Sequence, residues 1–269
     1  MKPRGEAANI LRFMSSEITT QVDSLKVRRF ATLAEMAAAA AADAARVLRE
    51  AVAKNGSARA IIATGNSQDL FLEKLTQAPD VPWGKVALFH MDEYLGMPMT
   101  HPASFRKYLK ERVFDRVNPA EAHYLEGDAL EPLDAIRAYT EDLASAPIDL
   151  CCLGIGENGH LAFNDPPVAD FADAEAIKIV KLDEGCRKQQ VGEGHFPNLD
   201  AVPMYAITLT IPTLCKVGRM IAVVPERRKA QAVKDSLEGP IAPSCPGSFL
   251  RQQSHAVLYL DGDSSSLLK

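Results

Sequence analysis

An apolar run that opens into a glycine-rich loop decides the fold: LCCLGIGENGHLAFNDPP, from Leu150 to Pro167. Its apolar start is typical of a strand buried on both faces, as in a parallel sheet. Its glycines have the G-x-G-x-x-G spacing of dinucleotide-binding loops, in which the last glycine begins a phosphate-binding helix. Only six residues separate Gly159 from Pro166-Pro167. Because proline interrupts a helix, we favour a catalytic loop over a nucleotide site.

Similar apolar runs recur on both sides of this segment and alternate with helical patterns. The predicted strands are KVRRF from Lys26, Ala60–Ala63, Val86–Tyr94, Ile148–Gly156, AIKIVKL, MYAITLT, MIAVV and AVLYL, and the predicted helices are Leu33 to Lys54, one from about Gln68, Ala103 to Phe114, and PERRKAQAVKDSLEG. This alternation predicts an α/β fold: a single doubly wound domain with a mainly parallel sheet covered by helices on both faces. We expect this domain to span residues 26–269, after an N-terminal arm of residues 1–25.

Composition excludes several classes of partner. The chain has 269 residues, 47% of them apolar, and a net charge of −5, which argues against a nucleic-acid-binding surface. No apolar stretch approaches the roughly 20 residues of a membrane span, and the first residues lack the apolar core of a signal peptide. The five cysteines are an odd number without a C-x-x-C pair, which favours free thiols in a reducing compartment. We therefore expect a soluble, cytoplasmic protein without nucleic-acid or membrane partners.

Polar residues that could perform acid–base chemistry follow the predicted strands. In a parallel sheet, ligands bind at the carboxyl ends of strands. His160 and Asp165 lie in the loop after one strand, and Asp92 ends another. A histidine near a carboxylate can transfer protons, and a desolvated carboxylate can act as a base. The alternatives are a solvated turn around His160 and a capping role for Asp92.

Two further segments suit a phosphate group. Thr64, Gly65, Asn66 and Ser67 offer amides and hydroxyls at the start of a predicted helix. Lys229 lies in the first turn of another helix, where a bound anion would offset its unfavourable interaction with the helix dipole. The alternative for this basic turn is a set of side chains that point to water. The sequence has no HExxH motif and no ligand pair at helical spacing, so we predict no metal.

Taken together, the quoted motifs resemble one known family. The matching segments are FHMDEYLGMPMTHPASFRKYL, LGIGENGHLAFNDPP, VPMYAITLTIPTL, VPERRKAQAVKDSLEG and SCPGSFL, which run from about residue 60 to residue 260. They are similar to the glucosamine-6-phosphate deaminases (isomerases), which have the sugar-phosphate isomerase fold. The joint pattern of MDEY-x-G with G-x-G-x-[ND]-G-H-x-[AG]-F-N is more specific than either half.

The resemblance implies conversion of glucosamine 6-phosphate, or a related hexosamine 6-phosphate, into fructose 6-phosphate and ammonia without a cofactor. It implies that Asp92 is the base at C2 and that His160 opens the sugar ring. Asp165 occupies the place of the acidic partner of the histidine, and Asn158 a place that is Asp or Asn in family members. The residues implied in substrate or phosphate binding are Thr64, Gly65, Asn66, Ser67, Glu93 and Lys229.

Several positions depart from the family pattern and indicate a divergent member. Asp165 is one methylene shorter than the usual Glu, and TGNSQ replaces the usual TGGTP. Gln190 aligns with a phosphate-binding Arg, which Arg187 or Lys188 could replace. Ala176 aligns with an Arg of allosterically regulated members, so we expect no such regulation.

Two other functions stay open, as does the oligomeric state, for which a homo-oligomer is one option. A 6-phosphogluconolactonase would use the loop histidine toward water, although its loop usually reads G-x-G-x-D-G-H-x-x-S-L-F-P. A non-catalytic sugar-phosphate sensor would not need a base such as Asp92.

Overall fold

The computed structural model describes residues 17–269, which form a large sheet, a small sheet and surrounding helices. The strands are β1 (Ile18–Val22), β2 (Leu25–Arg29), β3 (Ala58–Ile62), β4 (Val86–His90), β5 (Asp92–Tyr94), β6 (Glu121–Ala122), β7 (Leu150–Leu153), β8 (Ile177–Lys181), β9 (Tyr205–Leu209), β10 (Arg219–Val224) and β11 (Ala256–Leu260). The helices are α1 (Leu33–Asn55), α2 (Asp69–Thr76), α3 (Phe105–Leu109), α4 (Asp115–Val117), α5 (Pro132–Ala144), α6 (Glu184–Gly192), α7 (Ile211–Cys215) and α8 (Ala230–Glu238). A π-helical turn, Lys110–Phe114, joins α3 to α4.

The large sheet has the strand order β1-β2-β11-β10-β7-β3-β4-β6. Only the outer β1–β2 pair is antiparallel within the described part of this sheet; the other neighbours run parallel. The carboxyl ends of β3, β4, β7 and β10 therefore meet at one edge, which is where an α/β sheet binds ligands. The predicted mainly parallel α/β sheet is confirmed.

Helices cover both faces of the large sheet because its side chains alternate in direction. On β3, Ala60 and Ile62 belong to a buried cluster with α1 and α2, whereas Ile61 belongs to a second cluster with α5 and α8 on the opposite face. Successive side chains of a strand point to opposite faces. Apolar residues on both faces of β3 and β7 thus bury the sheet between two layers, as the continuous apolar runs predict.

The long helix α1 begins and ends where its sequence predicts. Thr32 accepts a hydrogen bond from the Glu35 amide, and the Glu35 carboxylate accepts one from the Thr32 amide, which completes a capping box. At the other end, Gly56 has φ +82°, a conformation that glycine adopts without strain. The alanine-rich face between them packs closely on the sheet.

The predicted single strand Val86–Tyr94 is interrupted at Met91. β4 remains in the large sheet, while β5 pairs with β9 in a small antiparallel sheet of order β5-β9-β8. The segments AIKIVKL and MYAITLT thus supply strands to this second sheet. The change of sheet occurs at Asp92, so the chain bends at the residue predicted to be catalytic.

The start of the described chain differs from the predicted arm. Residues 1–16 of that arm lie outside the described residues. Residues 18–22 form β1, which pairs with β2 along the edge of the large sheet. The predicted boundary at residue 26 therefore falls inside a hairpin, because the backbone groups of β2 pair with β1 on one side and β11 on the other. Among residues 17–269, no helix has the length and apolar character needed to cross a membrane.

Candidate active site

A cavity opens at the carboxyl ends of β3, β4, β7 and β10, with an empty volume of about 610 Å³. The predicted site residues that line it are Thr64, Gly65, Ser67, Asp92, His160 and Lys229. The predicted residues that do not line it are Asn66, Glu93, Asn158 and Asp165.

Asp92 reaches the cavity from the bend between the two sheets. Its carboxyl group is buried, and Oδ1 has no hydrogen-bond partner within residues 17–269. Burial, with a smaller contribution from the neighbouring Glu93, raises the pKa of Asp92 well above its usual range. A carboxyl group in this state is a stronger base than an exposed one once it is ionised.

His90 holds the backbone at this bend. Its Nδ1 lies 3.0 Å from the carbonyl oxygen of Asp92, and its Nε2 accepts a hydrogen bond from the Leu125 amide at 2.8 Å. Nε2 as acceptor requires the proton on Nδ1, which then donates to Asp92. Burial lowers the pKa of His90 to about 3, so the ring stays neutral. His90 is thus a structural residue that fixes the position of Asp92.

The loop after β7 brings His160 to the cavity through a close backbone turn. The Gly156 amide donates to the carbonyl oxygen of His160, and the Gly159 amide donates to that of Gly156. A Cβ atom on Gly156 would lie 2.2 Å from the imidazole ring, so only glycine leaves room for His160. Gly159 has φ +85°, which also favours glycine. The glycines of this loop therefore make room for the His160 ring, which explains their spacing without a bound nucleotide.

Asp165 lies behind His160, on the protein side of the ring. His160 Nδ1 is 3.0 Å from Asp165 Oδ1, so the shorter side chain does reach the histidine. Asn158 donates a hydrogen bond from Nδ2 to the same oxygen, and its Oδ1 accepts one from the His160 amide. Asp165 and Asn158 therefore orient His160 from outside the cavity.

The charge of Asp165 is maintained despite its burial. Burial alone would raise its pKa, but the charge of His160, the close contact with its ring and the hydrogen bond from Asn158 outweigh that effect and lower the pKa below its usual range. An ionised Asp165 beside the ring can balance positive charge that develops on the imidazole during proton transfer.

The loop after β3 forms a second wall of the cavity. Gly65 has φ +104°, and its carbonyl oxygen accepts a hydrogen bond from the Tyr108 hydroxyl. Gln68 is buried and donates from Nε2 to the Val223 carbonyl oxygen at 3.0 Å, which ties this loop to β10. Asn66 points outward and donates to the Glu193 carbonyl oxygen at 3.3 Å, so the structure does not bring its side chain into the cavity.

Lys229 enters the cavity from the turn after β10. Burial lowers its pKa, while the nearby Glu193 acts in the opposite direction. Glu193 also pairs with Arg228 at 3.0 Å and with His195 at 3.3 Å. Its side chain is 6% exposed and lies against the cavity. A carboxylate therefore occupies the most cationic part of the site.

Glu93, which is predicted to contact substrate, does not line the cavity. Its Oε2 accepts hydrogen bonds from Ser104 Oγ at 2.7 Å and the Arg106 amide at 3.0 Å, and its Oε1 accepts one from the Tyr94 amide. Arg106 Nε lies 3.3 Å from the same carboxylate. Glu93 instead caps the start of α3. Because successive side chains of a strand alternate, Glu93 must face away from the cavity that Asp92 faces.

Neither proposed replacement for the aligned phosphate-binding Arg reaches the cavity. Arg187 donates to the carbonyl oxygens of Leu199 and Val202, and Lys188 is exposed and pairs with Glu184. Gln190 does line the cavity and accepts a hydrogen bond from the Tyr94 hydroxyl at 2.8 Å.

The sequence motifs missed several residues that line the cavity. These are Gln68, Phe105, Phe163, Gln189, Glu193 and His195. The rings of Phe105 and Phe163 stack with centroids 5.6 Å apart and give the cavity one apolar wall. The GEGH segment after α6 carries Glu193 and His195, and its charged residues beside glycines were the only signal for them.

The chain is similar to known proteins in sequence. A family model described as glucosamine-6-phosphate isomerases/6-phosphogluconolactonase matches residues 31–259. A protein of Pseudarthrobacter chlorophenolicus named glucosamine-6-phosphate deaminase is 34% identical over 231 residues, which are 84% of this chain and 87% of that protein. One of the same name from Exiguobacterium sibiricum is 33% identical over 183 residues, or 68% and 71% of the two chains.

Solved structures give the same result for the fold. A monomeric glucosamine-6-phosphate deaminase superposes with a TM-score of 0.81 at 27% identity, covering 90% of this chain and 99% of that chain. A 6-phosphogluconolactonase described as putative, from Neisseria gonorrhoeae, gives 0.69 at 19% identity, covering 90% and 100%, which shows a shared fold alone. The chain therefore belongs to the glucosamine-6-phosphate isomerase/6-phosphogluconolactonase family.

Proposed function

We propose that this protein is a glucosamine-6-phosphate deaminase that converts glucosamine 6-phosphate and water into fructose 6-phosphate and ammonia. The observation that carries the proposal is that Asp92 and His160, from two separate strand ends, line one cavity that also contains Lys229. The relatives with this name at 33–34% identity support the same reaction.

Ring opening is the first step of the proposed reaction, and His160 performs it. The C2–H bond of an amino sugar becomes acidic only beside a carbonyl group, so the pyranose must first open to the aldehyde. His160, oriented by Asp165, moves the proton from the O1 hydroxyl to the ring oxygen as the C1–O5 bond breaks. The charge of Asp165 stabilises the imidazolium form that exists during this transfer.

Asp92 then performs the isomerisation. Its carboxylate removes the C2 proton while O1 gains a proton from the substrate's ammonium group, which gives an enolamine. The carboxyl group then returns its proton to C1, which leaves a protonated ketimine at C2. Water adds at C2 and ammonia leaves, which yields the ketose phosphate. The buried position of Asp92 supports this role because a desolvated carboxylate gains basicity toward carbon. Each such acid–base step contributes about 10²–10⁴-fold to the rate.

The phosphate group lies at the Lys229 end in this proposal. Thr64, Gly65 and Ser67 line the same cavity and offer hydroxyl and amide donors. Binding the phosphate orients the acyclic sugar between Asp92 and His160 and reduces the entropic cost of the reaction.

A coupled assay for ammonia with a panel of hexosamine 6-phosphates tests this proposal. We expect turnover with glucosamine 6-phosphate or its galacto epimer, and no hydrolysis of 6-phosphogluconolactone. Hydrolysis of the lactone without ammonia release would instead support a lactonase. Ligand-dependent thermal stabilisation without any turnover would support the sensor function. A cytoplasmic location and a homo-oligomeric state stay predictions.

A further inference from the structure

A second feature of the site lies on the side of His160 that faces away from the cavity. His160 Nδ1, a carboxylate oxygen of Asp165 and Cys186 Sγ all lie within 4.8 Å of one another. Asp165 and Cys186 are almost fully buried, at 0% and 1% exposure. Cys186 comes from α6, so two distant segments of the chain converge on this cluster.

Two atoms of this cluster lack hydrogen-bond partners. Asp165 Oδ2 is buried and unpaired among the residues that the structure describes. His160 Nδ1 is also buried and, although it lies 3.0 Å from Asp165 Oδ1, their geometry does not make a hydrogen bond. Buried polar atoms are nearly always paired in native proteins. Asp165 Oδ2 offers an electron pair, and His160 Nδ1 offers one when the neutral ring carries its proton on Nε2, so a cation satisfies both atoms at once in that tautomer.

We propose that His160, Asp165 and Cys186 bind a Zn²⁺ ion and that this ion inhibits the enzyme. One nitrogen, one oxygen and one sulfur ligand suit zinc, whereas Mg²⁺ and Ca²⁺ prefer oxygen ligands. Ligand atoms of a tetrahedral zinc site lie about 3.3–3.8 Å apart, given bond lengths of about 2.0–2.3 Å. The ligand atoms of the cluster, which lie within 4.8 Å of one another, must approach by up to about 1 Å to reach that geometry.

Inhibition follows from the atom that the ion occupies. Zinc on Nδ1 replaces the interaction between His160 and Asp165 and prevents protonation of that nitrogen. Cys186 must release its proton to solvent in order to coordinate, so zinc binding becomes tighter as pH rises. The sequence analysis predicts no metal, and this proposal departs from that prediction because Cys186 comes from a distant segment of the chain.

Titration of the metal-stripped protein with Zn²⁺ in competition with a chromophoric chelator tests the binding. We expect one ion per chain, and with Co²⁺ as probe a thiolate-to-cobalt charge-transfer band in the near ultraviolet. Cys186→Ser should lose that band and bind zinc at least about tenfold more weakly. Mutation of a residue that only supports a metal ligand already lowers metal affinity by about 10–100-fold, so loss of a ligand should cost at least as much. Cys215→Ser, at a partly buried thiol that does not line the cavity, should bind like the parent protein.

Several results would overturn the proposal. Zinc binding of parent strength in both Cys186→Ser and Cys186→Ala, or cobalt binding without the sulfur band, would exclude this site. Circular dichroism identifies any variant that fails to fold, and the cobalt spectrum of the parent protein then decides alone. The binding titration contains no substrate, so its outcome is independent of the proposed function. Inhibition rests on that function and is measured as the zinc sensitivity of each variant relative to its own metal-free rate.

Discussion

His160 Nδ1 lies 3.0 Å from Asp165 Oδ1, although Asp165 has a shorter side chain than the Glu usual at this position of the family. The tight turn through Gly156 and Gly159 brings the two residues together, and Asn158 holds Asp165 from the other side. His160, Asp165 and Asn158 thus form one acid–base unit. Its charged member, Asp165, is buried, and its histidine faces the cavity.

Loss of the charge on Asp165 should slow the reaction. In Asp165→Asn, His160 loses the adjacent anion that balances positive charge on the ring during proton transfer, and we expect kcat to fall about 10²-fold, the lower end of the range for acid–base groups. Asp173→Asn is the matched control, because Asp173 also has a lowered pKa and an ion pair but does not line the cavity. Steady-state kinetics of both variants check this. Equal rates for Asp165→Asn and the parent protein would contradict the role of Asp165.

A single methyl group at Gly156 should displace the histidine. In Gly156→Ala the new Cβ would lie 2.2 Å from the imidazole of His160, so the ring must move. A displacement of about 1 Å can cost about 10²-fold in rate, and we expect a loss of kcat of that order. Gly84→Ala is the control, since no atom lies within 4 Å of its added Cβ. A Gly156→Ala enzyme with parent kcat would show that the position of the ring is not critical.

The buried carboxyl of Asp92 should reduce stability as pH rises. Its folded pKa is raised above the unfolded value of about 3.9, so its neutral form stabilises the fold below that pH, and this contribution is lost as pH rises through the folded pKa. Asp92→Asn stays neutral, so its Tm should exceed the parent Tm by a margin that grows with pH. For a domain of this size, 1 kcal/mol corresponds to roughly 2–4 °C.

Thermal unfolding of both proteins between acid and neutral pH measures that margin. Asp200→Asn, at an exposed carboxylate, serves as control and should not show it. A margin that stays constant or shrinks with pH would contradict the raised pKa of Asp92.

Glu193 should weaken phosphate binding. Burial alone would raise its pKa, but its hydrogen bond with His195 and the charges of Lys229 and Arg228 lower it to about 2, so it stays negative at the phosphate end. We expect Glu193→Gln to lower KM by up to about tenfold, or about 1.4 kcal/mol. Glu157→Gln removes an outer partner of Arg228 and should change KM little. A raised KM in Glu193→Gln would show instead that Glu193 positions the basic residues.

The sequence predicts the parts of the site that lie directly at strand ends. Asp92, His160 and Lys229 each follow an apolar strand within a few residues, and the ends of parallel strands meet at one edge. Glu93 was mispredicted because it follows Asp92 in sequence, whereas consecutive strand residues face opposite sides. Its ligands, the amides at the start of α3, depend on a tertiary contact with no local signal.

The sequence also does not predict which residues of α6 and of the segment after it lie near the site. Glu193 and His195 line the cavity, and Cys186 lies beside Asp165, because α6 and the segment that follows it pack against this part of the sheet. No motif spacing connects these residues to the strand ends. The hydrogen bond of Gln68 to Val223 likewise joins two distant segments. Periodicity and turn residues identify elements and their order, but they do not determine which helix covers a cavity.

The central claim is that Asp92 carries the proton at C2 of the sugar, and hydrogen exchange with solvent measures this most directly. Glucosamine 6-phosphate is incubated in D₂O with the parent protein or with Asp92→Asn, and deuterium in the recovered sugar phosphates is measured by NMR. We expect incorporation by the parent protein, and none by Asp92→Asn at concentrations where thermal stabilisation shows that the substrate still binds. Incorporation at the parent rate by Asp92→Asn would contradict the account.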